Sequence, residues 1–292
     1  IISLLSALLI VLCVFAVEMK NTEKKAYQGM SEIGEDQNTE VENKDNSQYI
    51  DMSLAKDIEA YFQENGIDHE KVAYCITDLE HNIKYSMNEK DEFIAASIYK
   101  LPLAMLYYDK VNDGEYTLDS TFTYSGYMHE DAGVISSNYG IGSQIPLSDL
   151  LDDLIEYSDN DAGHILYENL GGWKEYKEAM TKYTDSISEN YYTMDNVTTA
   201  NTMNDVVTYL YDHKEDYKGL IKNMEEAEPG EYLDRDTQLS MPQKYGMYDS
   251  ALNSVGFVEC NTSYSIVVLT SLGDKGADVM ANINRIAYEH FK

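Results

Sequence analysis

The sequence predicts an α/β (α+β) fold in which a five-stranded antiparallel sheet is flanked by helices and accompanied by a mainly helical subdomain. Two short apolar runs typical of strands lie near residue 75, three more follow residue 240, and helical patterns fill the interval between them. Short polar turns separate consecutive strands at both ends of this region, which favours antiparallel pairing. We therefore expect the two ends of the ordered region to complete one sheet.

The five predicted strands are short runs rich in β-branched and aromatic residues, each bounded by turn residues. The turns at 80–82, 248–250 and 261–263 are short enough to join antiparallel neighbours. The predicted strands cover residues 71–77, 83–86, 241–247, 254–260 and 265–270.

The predicted helices carry apolar residues at the three-to-four-residue spacing of one helical face. Gly66 suits the end of the first helix, and Pro102 marks the early part of the second. The interval 112–148 is rich in Gly, Ser, Tyr and Asp, and it predicts loops with little regular structure. The helices cover residues 53–65, 97 to beyond 108, 147–155, 162–170, 173–183, 199–213, 217–225 and 276–291.

The chain divides into three segments. Residues 1–17 are almost wholly apolar, and as a helix they would rise roughly 25 Å, slightly less than a bilayer core of about 30 Å. This stretch predicts either a signal anchor or the apolar core of a signal peptide. Residues 18–49 are polar and charged and predict a disordered acidic tether, followed by one folded domain over 50–292. We expect an exported, extracytoplasmic domain, either membrane-tethered through the N-terminal segment or secreted.

Charge and cysteine usage limit the possible partners. The 292 residues include 52 acidic and 21 basic ones, a net charge of −31, which would repel the phosphate backbone of a nucleic acid. Cys75 and Cys260 each fall in a predicted strand and are read as small buried side chains rather than as a disulfide. No spacing of ligand residues predicts a metal site, no cofactor is expected, and we expect a monomer.

A serine–lysine pair stands in the apolar run 93–103. In Ser97-x-x-Lys100, a helix would place the lysine one turn after the serine on the same face, so that the amine can reach the hydroxyl. A desolvated, neutral amine can act as the base that a serine nucleophile needs. The pattern alone is weak, because Ser53-x-x-Lys56 repeats it in an ordinary amphipathic helix, where a helix cap and a surface lysine explain it.

Two further motifs follow in order, Ser158-Asp159-Asn160 and Lys244-Tyr245-Gly246. Alone, the first is compatible with an Asx turn at the end of a helix, and the second with a solvated strand lysine. Together with Ser97-x-x-Lys100 they resemble the signature of the class A β-lactamases and the D,D-peptidases (penicillin-binding proteins), which is Ser-x-x-Lys, Ser-Asp-Asn and Lys-Thr-Gly. The resemblance covers about residues 50–292 and implies the β-lactamase/transpeptidase-like fold.

This resemblance implies a catalytic role for four side chains. Ser97 is the residue acylated, Lys100 is the base near it, and Ser158 passes a proton to the leaving nitrogen. Lys244 adds positive potential near Ser158 and near a carboxylate of the substrate.

Four further residues are implied in substrate binding. Asn160 holds the amide of the substrate, and Tyr245 and Gly246 line the third motif. The backbone N–H groups of Ser97 and Met247 form the oxyanion hole. The implied substrates are β-lactams or the stem peptides of peptidoglycan.

Two departures from the family pattern bear on specificity and turnover. Tyr245 stands where the family has Thr or Ser, so the small hydroxyl that helps to bind a substrate carboxylate is missing. The Glu-x-x-Leu-Asn loop, whose glutamate activates the deacylating water in class A β-lactamases, has no match between Asn160 and Lys244. Glu189 is the nearest acidic candidate for that role.

Three functions remain open at this point. The first is an acyl-serine hydrolase that acts on β-lactams and deacylates slowly. The second is a D,D-carboxypeptidase or endopeptidase of peptidoglycan. The third, of another class, is a catalytically weak module that binds the cell wall or senses β-lactams.

Overall fold

The computed structural model describes residues 52–126, 133–237 and 239–292. The predicted signal segment at 1–17 and the predicted tether at 18–49 lie outside the described residues. The helices and strands given below all belong to the described part of the chain.

A five-stranded antiparallel sheet forms the centre of the fold, as the sequence predicts. With strands numbered in chain order, it contains β1 (Val72–Asp78), β2 (Ile83–Met87), β7 (Gln243–Tyr248), β8 (Ala251–Val258) and β9 (Tyr264–Thr270). The strands lie in the order β2-β1-β9-β8-β7, and each neighbouring pair is antiparallel. The two ends of the domain therefore meet where β1 pairs with β9, and β7 is an edge strand.

Both faces of this sheet are buried, which explains why its inner strands are apolar without alternation. Successive side chains of β1 enter two separate cores, Ala73 on one side and Val72 on the other. Helices α1 (Ser53–Asn65) and α9 (Lys275–Phe291) cover the Val72 side, and α7 (Ala200–Asp212) covers the Ala73 side. Burial of each large apolar side chain stabilises the fold by about 1.5–3 kcal/mol.

The helices of the middle region form the mainly helical part of the fold. Five of the six match predicted helices, and the exception is the short helix α3 (Val134–Asn138). In α4 (Leu147–Glu156) the leucine and isoleucine side chains are all buried on one face, which packs it against its neighbours. These helices are α2 (Lys100–Asn112), α3 (Val134–Asn138), α4 (Leu147–Glu156), α5 (Asn160–Asn169), α6 (Trp173–Met180) and α8 (Lys218–Glu225).

Two small strand pairs lie outside the main sheet. Strand β3 (Phe93–Ile94) pairs with β6 (Val197–Thr198), and β4 (Thr121–Thr123) pairs with β5 (Gln144–Pro146). The loop prediction for 112–148 therefore missed β4, β5 and α3. Elements of three to five residues are too short to show a period in the sequence.

Cys75 and Cys260 are both free thiols. Burial in β1 raises the pKa of the Cys75 thiol to about 12, so it packs as a small apolar side chain. The strand prediction for Cys260 was wrong, because β8 ends at Val258. The Cys260 thiol lies in the following turn and donates a hydrogen bond to the carbonyl of Thr262 at 3.2 Å.

Candidate active site

Ser97 lies in a single 3₁₀ turn, Ala96–Tyr99, that runs directly into α2 at Lys100. The predicted helix is present, but its first turn is the tighter 3₁₀ form. Ala96 has a positive φ of 50°, a conformation that costs a non-glycine residue about 1–3 kcal/mol. The surrounding structure must hold this turn in place, and the half-buried Ser97 follows it directly.

Three side chains hold the backbone carbonyls on either side of Ser97, and the sequence interpretation did not include any of them. Asn253 donates hydrogen bonds to the carbonyls of Ile94 and Ala95 at 2.8 and 3.0 Å. Asn196 donates to the carbonyl of Ala96 and Tyr176 to the carbonyl of Tyr99, both at 2.8 Å. Asn253 had a detectable signal, because an amide inside the apolar strand 251–258 needs buried partners.

Lys100 brings the first motif into contact with the second. Its side chain is fully buried, and its Nζ donates to the carbonyl of Ser158 at 2.5 Å and to Asn160 Oδ1 at 2.7 Å. The same Nζ lies 3.4 Å from Ser158 Oγ. In the other Ser-x-x-Lys, Lys56 is exposed on α1, as expected for an ordinary surface helix.

The second motif occupies the turn between α4 and α5. Ser158 has a positive φ of 55°, which directs its carbonyl towards Lys100. Asp159 caps α5, because its side chain accepts from the N–H of Ala162 at 2.9 Å, and it also accepts from the N–H of Ile135 at 3.1 Å. The aspartate therefore fixes the turn that places Ser158 and Asn160 at Lys100.

The third motif lies on the edge strand β7, against the backbone at Ser97. A Cβ at Gly246 would lie 2.6 Å from Ser97 N and 2.8 Å from Ile98 N, so only glycine fits this approach. Met247 follows directly and is 63% exposed. The two residues predicted to form the oxyanion hole thus stand on segments that are in close contact.

Lys244 is the second fully buried lysine in this region. Within the described ranges its Nζ has no hydrogen-bond partner, and the centre of the Tyr245 ring lies 4.1 Å away. Burial holds the pKa of Lys244 well below its usual range, and the nearby charge of Lys100 lowers it further. The positive potential that the resemblance implies at Lys244 is therefore opposed by its surroundings.

Tyr245 does not project freely from the strand. Its ring stacks on Tyr232, with centroids 4.8 Å apart and an interplanar angle of 19°. Tyr245 is half-buried, and this stack fixes the position of the ring at the third motif.

Glu189, the candidate deacylating base, is exposed in the segment that joins α6 to β6. The next residue, Asn190, donates from its backbone and from its side chain to Glu92, at 2.9 and 2.8 Å. Asn196, in the same segment, donates a hydrogen bond to the carbonyl of Ala96 in the Ser97 turn, and its side chain is an amide and not a carboxylate.

Within 52–126, 133–237 and 239–292, no group of three or more His, Cys, Asp and Glu side chains is placed to hold a metal ion. In those ranges no helix combines the length and the apolar character that a membrane crossing requires.

Comparison with known proteins agrees with the architecture described above. A β-lactamase from Chitinophaga pinensis DSM 2588 superposes with a TM-score of 0.69 at 21% identity, covering 82% of this chain and 100% of that one. For the TLA-3 extended-spectrum β-lactamase the TM-score is 0.69 at 20% identity, with 82% and 98% covered. For PBP-A it is 0.69 at 16% identity, with 80% and 96% covered.

These likenesses establish the fold, since all three identities are low. The family is established separately by a model of the β-lactamase enzyme family, which matches residues 53–291 and therefore most of the chain. The ordered elements and the three motifs all fall inside the matched residues. The chain belongs to the β-lactamase enzyme family.

Proposed function

We propose that this protein is an exported serine hydrolase that acts on β-lactams through an acyl-enzyme on Ser97 and deacylates slowly. One observation carries the proposal: the buried amine of Lys100 contacts both Ser158 and Asn160 while Gly246 packs against the backbone of Ser97. Residues from three distant parts of the chain thus meet at the turn that carries Ser97, and this arrangement supports nucleophilic catalysis there.

In the acylation step the Ser97 hydroxyl attacks the β-lactam carbonyl, and the C–N bond of the ring breaks. The proton of the Ser97 hydroxyl passes to the amine of Lys100. The Ser158 hydroxyl delivers its proton to the leaving nitrogen and takes the proton back from Lys100, whose Nζ lies 3.4 Å from Ser158 Oγ. The N–H groups of Ser97 and Met247 stabilise the charge that develops on the carbonyl oxygen. Asn160 binds both Lys100 and the amide of the substrate.

Slow deacylation is supported by the chemistry of the segment that contacts the Ser97 turn. Hydrolysis of the ester needs a base that deprotonates a water, and the Asn196 amide cannot accept a proton in this way. Its Nδ2 is also occupied by the carbonyl of Ala96 at 2.8 Å. General-base help is worth roughly 10²–10⁴-fold, so a long-lived adduct is expected without it.

A second candidate is a D,D-peptidase that acts on peptidoglycan stem peptides. The amide at Asn196 is compatible with it, because slow hydrolysis of the penicillin adduct is expected for this candidate as well. One solved relative in fold, a variant of PBP-A, is described as an acyl-enzyme complex with penicillin G. A protein that only binds the cell wall or senses β-lactams would keep the adduct indefinitely.

The test is intact-mass spectrometry of the full chain after addition of penicillin G, followed over time. We expect an adduct of one penicillin that is lost in Ser97→Ala and kept in Ser53→Ala, where the other Ser-x-x-Lys is changed. An adduct on Ser97→Ala would contradict the proposal. Turnover at many per second that is abolished by Glu189→Gln would show that Glu189 is the deacylating base.

Export is proposed from the apolar stretch 1–17, and it is tested separately by fractionating expressing cells. Recovery with the membranes or in the medium supports export. Recovery of the folded protein in the cytosolic fraction alone would contradict it.

A further inference from the structure

An aromatic and acidic patch borders the site on the side of the third motif. We call it the Tyr245 patch and define it by Tyr245, Tyr232 and Glu228. The two rings are stacked, as described above, and the exposed carboxylate of Glu228 interacts electrostatically with both phenols. Burial, and then Glu228, raise the pKa of Tyr245 to about 12, so its hydroxyl is neutral at pH 7.

The lysine of the third motif interacts electrostatically with Glu228, but its side chain is not accessible. The Nζ of Lys244 is fully enclosed, and the ring of Tyr245 lies 4.1 Å from it. A carboxylate could reach this amine only by displacing the side chains that enclose it. Burial also holds the pKa of Lys244 well below its usual range, which reduces the charge available to attract an anion.

The surface beside the patch is apolar. Side chains two positions apart on a strand lie on the same face, so Met247 continues the face of Tyr245 along β7. Met247 is 63% exposed. A large exposed apolar side chain beside a site provides a contact surface for an uncharged group.

We propose that the site accepts a substrate whose group facing the Tyr245 patch is uncharged, and that it discriminates against a carboxylate there. This inference rests on the proposed function and names the substrate class of that same site. Stacked rings and exposed methionine offer contact to an ester or amide, whereas a carboxylate would face Glu228 and an amine that it cannot reach. Tyr245 and Glu228 are then the residues that determine specificity.

The experiment compares benzylpenicillin with its methyl ester, which carries the same reacting ring without the carboxylate charge. Acylation rates of the full chain are measured for both compounds by stopped-flow and intact-mass methods. We expect the acid to react more slowly than the ester, by up to about fivefold, which is the effect of an exposed charge pair. Added salt should accelerate the acid and leave the ester unchanged, because repulsion from Glu228 is screened.

Three variants test which residues cause the difference in acylation rate between the acid and the ester. Tyr245→Thr should raise the acid-to-ester ratio about tenfold or more, because the threonine hydroxyl could donate a hydrogen bond to the carboxylate of the acid, and a hydrogen bond to a charged group has an effect of this magnitude. Glu228→Gln should raise it roughly two- to fivefold. The matched control is Glu225→Gln, which removes the same charge from an exposed side chain three positions away and should leave the ratio unchanged.

The outcomes separate the two proposals. An acid that reacts as fast as the ester, or faster, in the unmodified protein would overturn this inference and leave the proposed function standing. If the acid-to-ester ratio is the same in all three variants, the inference is also overturned. Poor folding of Tyr245→Thr does not prevent this test, because Glu228→Gln keeps both stacked rings. Absence of an adduct on Ser97 with either compound would overturn the proposed function and this inference with it.

Discussion

Lys100 and Ser158 are 58 positions apart in the sequence, and a hydrogen bond of 2.5 Å joins the Nζ of the first to the carbonyl of the second. The positive φ of Ser158 turns that carbonyl towards the lysine, and Asp159 fixes the turn by capping the next helix. The contact therefore sets the position of the amine relative to the Ser158 hydroxyl. It links the proposed base to the residue proposed to protonate the leaving group.

Replacing Lys100 by Met should abolish most of the acylation. Methionine keeps much of the length and the apolar stem but removes the base, so the acylation rate should fall by about 10²–10⁴-fold. The measurement is the rate of adduct formation with penicillin G, with circular dichroism to confirm folding. The control is Lys56→Met in the other Ser-x-x-Lys. A fall of less than tenfold in folded Lys100→Met would exclude Lys100 as the base.

Gly246→Ala should impair both stability and acylation. The new Cβ would lie 2.6 Å from Ser97 N, so β7 or the Ser97 turn must move. Overpacking of this kind costs about 1–3 kcal/mol, and a displacement near 1 Å at a reacting group can reduce the rate about 10²-fold. The matched control is Gly140→Ala, since a Cβ at Gly140 meets nothing within 4 Å. Equal melting temperatures and rates for the two variants would contradict the packing argument.

The sequence predicted the main elements well, because their signals are local. Apolar periodicity located α1, α4, α7 and α9, and the five strands followed from short runs between turns. The contact between Lys100 and Ser158 was not predicted, because the resemblance implies Lys100 near Ser97 and Lys244 near Ser158. The family match and the five-stranded sheet confirm the fold expected from these patterns.

What the sequence did not predict depends on contacts between distant segments. Asn253 holds the carbonyls before Ser97 only because β8 lies beside the Ser97 turn, a register that no local pattern encodes. The enclosure of Lys244 and the stacking of Tyr245 on Tyr232 likewise depend on tertiary packing. A lysine in an edge strand favours solvent on local grounds, and that local expectation was wrong for Lys244.

The stability of the protein should depend on the protonation of Asp153 in α4. Burial, and then the nearby carboxylates of Asp159 and Asp149, raise its pKa from 3.8 to about 7. The folded state therefore binds a proton that the unfolded state releases near pH 4, so this group lowers stability as the pH rises from about 4 to 7. Since the side chain is only partly buried, we expect an effect of about 1 kcal/mol.

The substitution Asp153→Asn removes the titrating carboxyl group, so it tests whether this group lowers stability as the pH rises. The melting temperature of the variant should equal that of the unmodified protein near pH 4 and exceed it above pH 7. Thermal unfolding across this pH range is the measurement. A variant that is less stable at pH 8 than the unmodified protein would show that the carboxylate of Asp153 stabilises the fold.

Lys177→Met should loosen the segment between α6 and β6. The amine of Lys177 is buried and donates to the carbonyls of Tyr191 (2.6 Å), Thr193 (2.9 Å) and Asp195 (2.5 Å). Without it these carbonyls lose their charged donor, and we expect a loss of about 2–4 kcal/mol. Hydrogen exchange should accelerate at residues 191–195, while the exposed Lys174→Met should change nothing there. Because Asn196 connects this segment to the Ser97 turn, acylation should slow as well. Unchanged exchange at 191–195 in Lys177→Met would mean that the segment is held by its own packing.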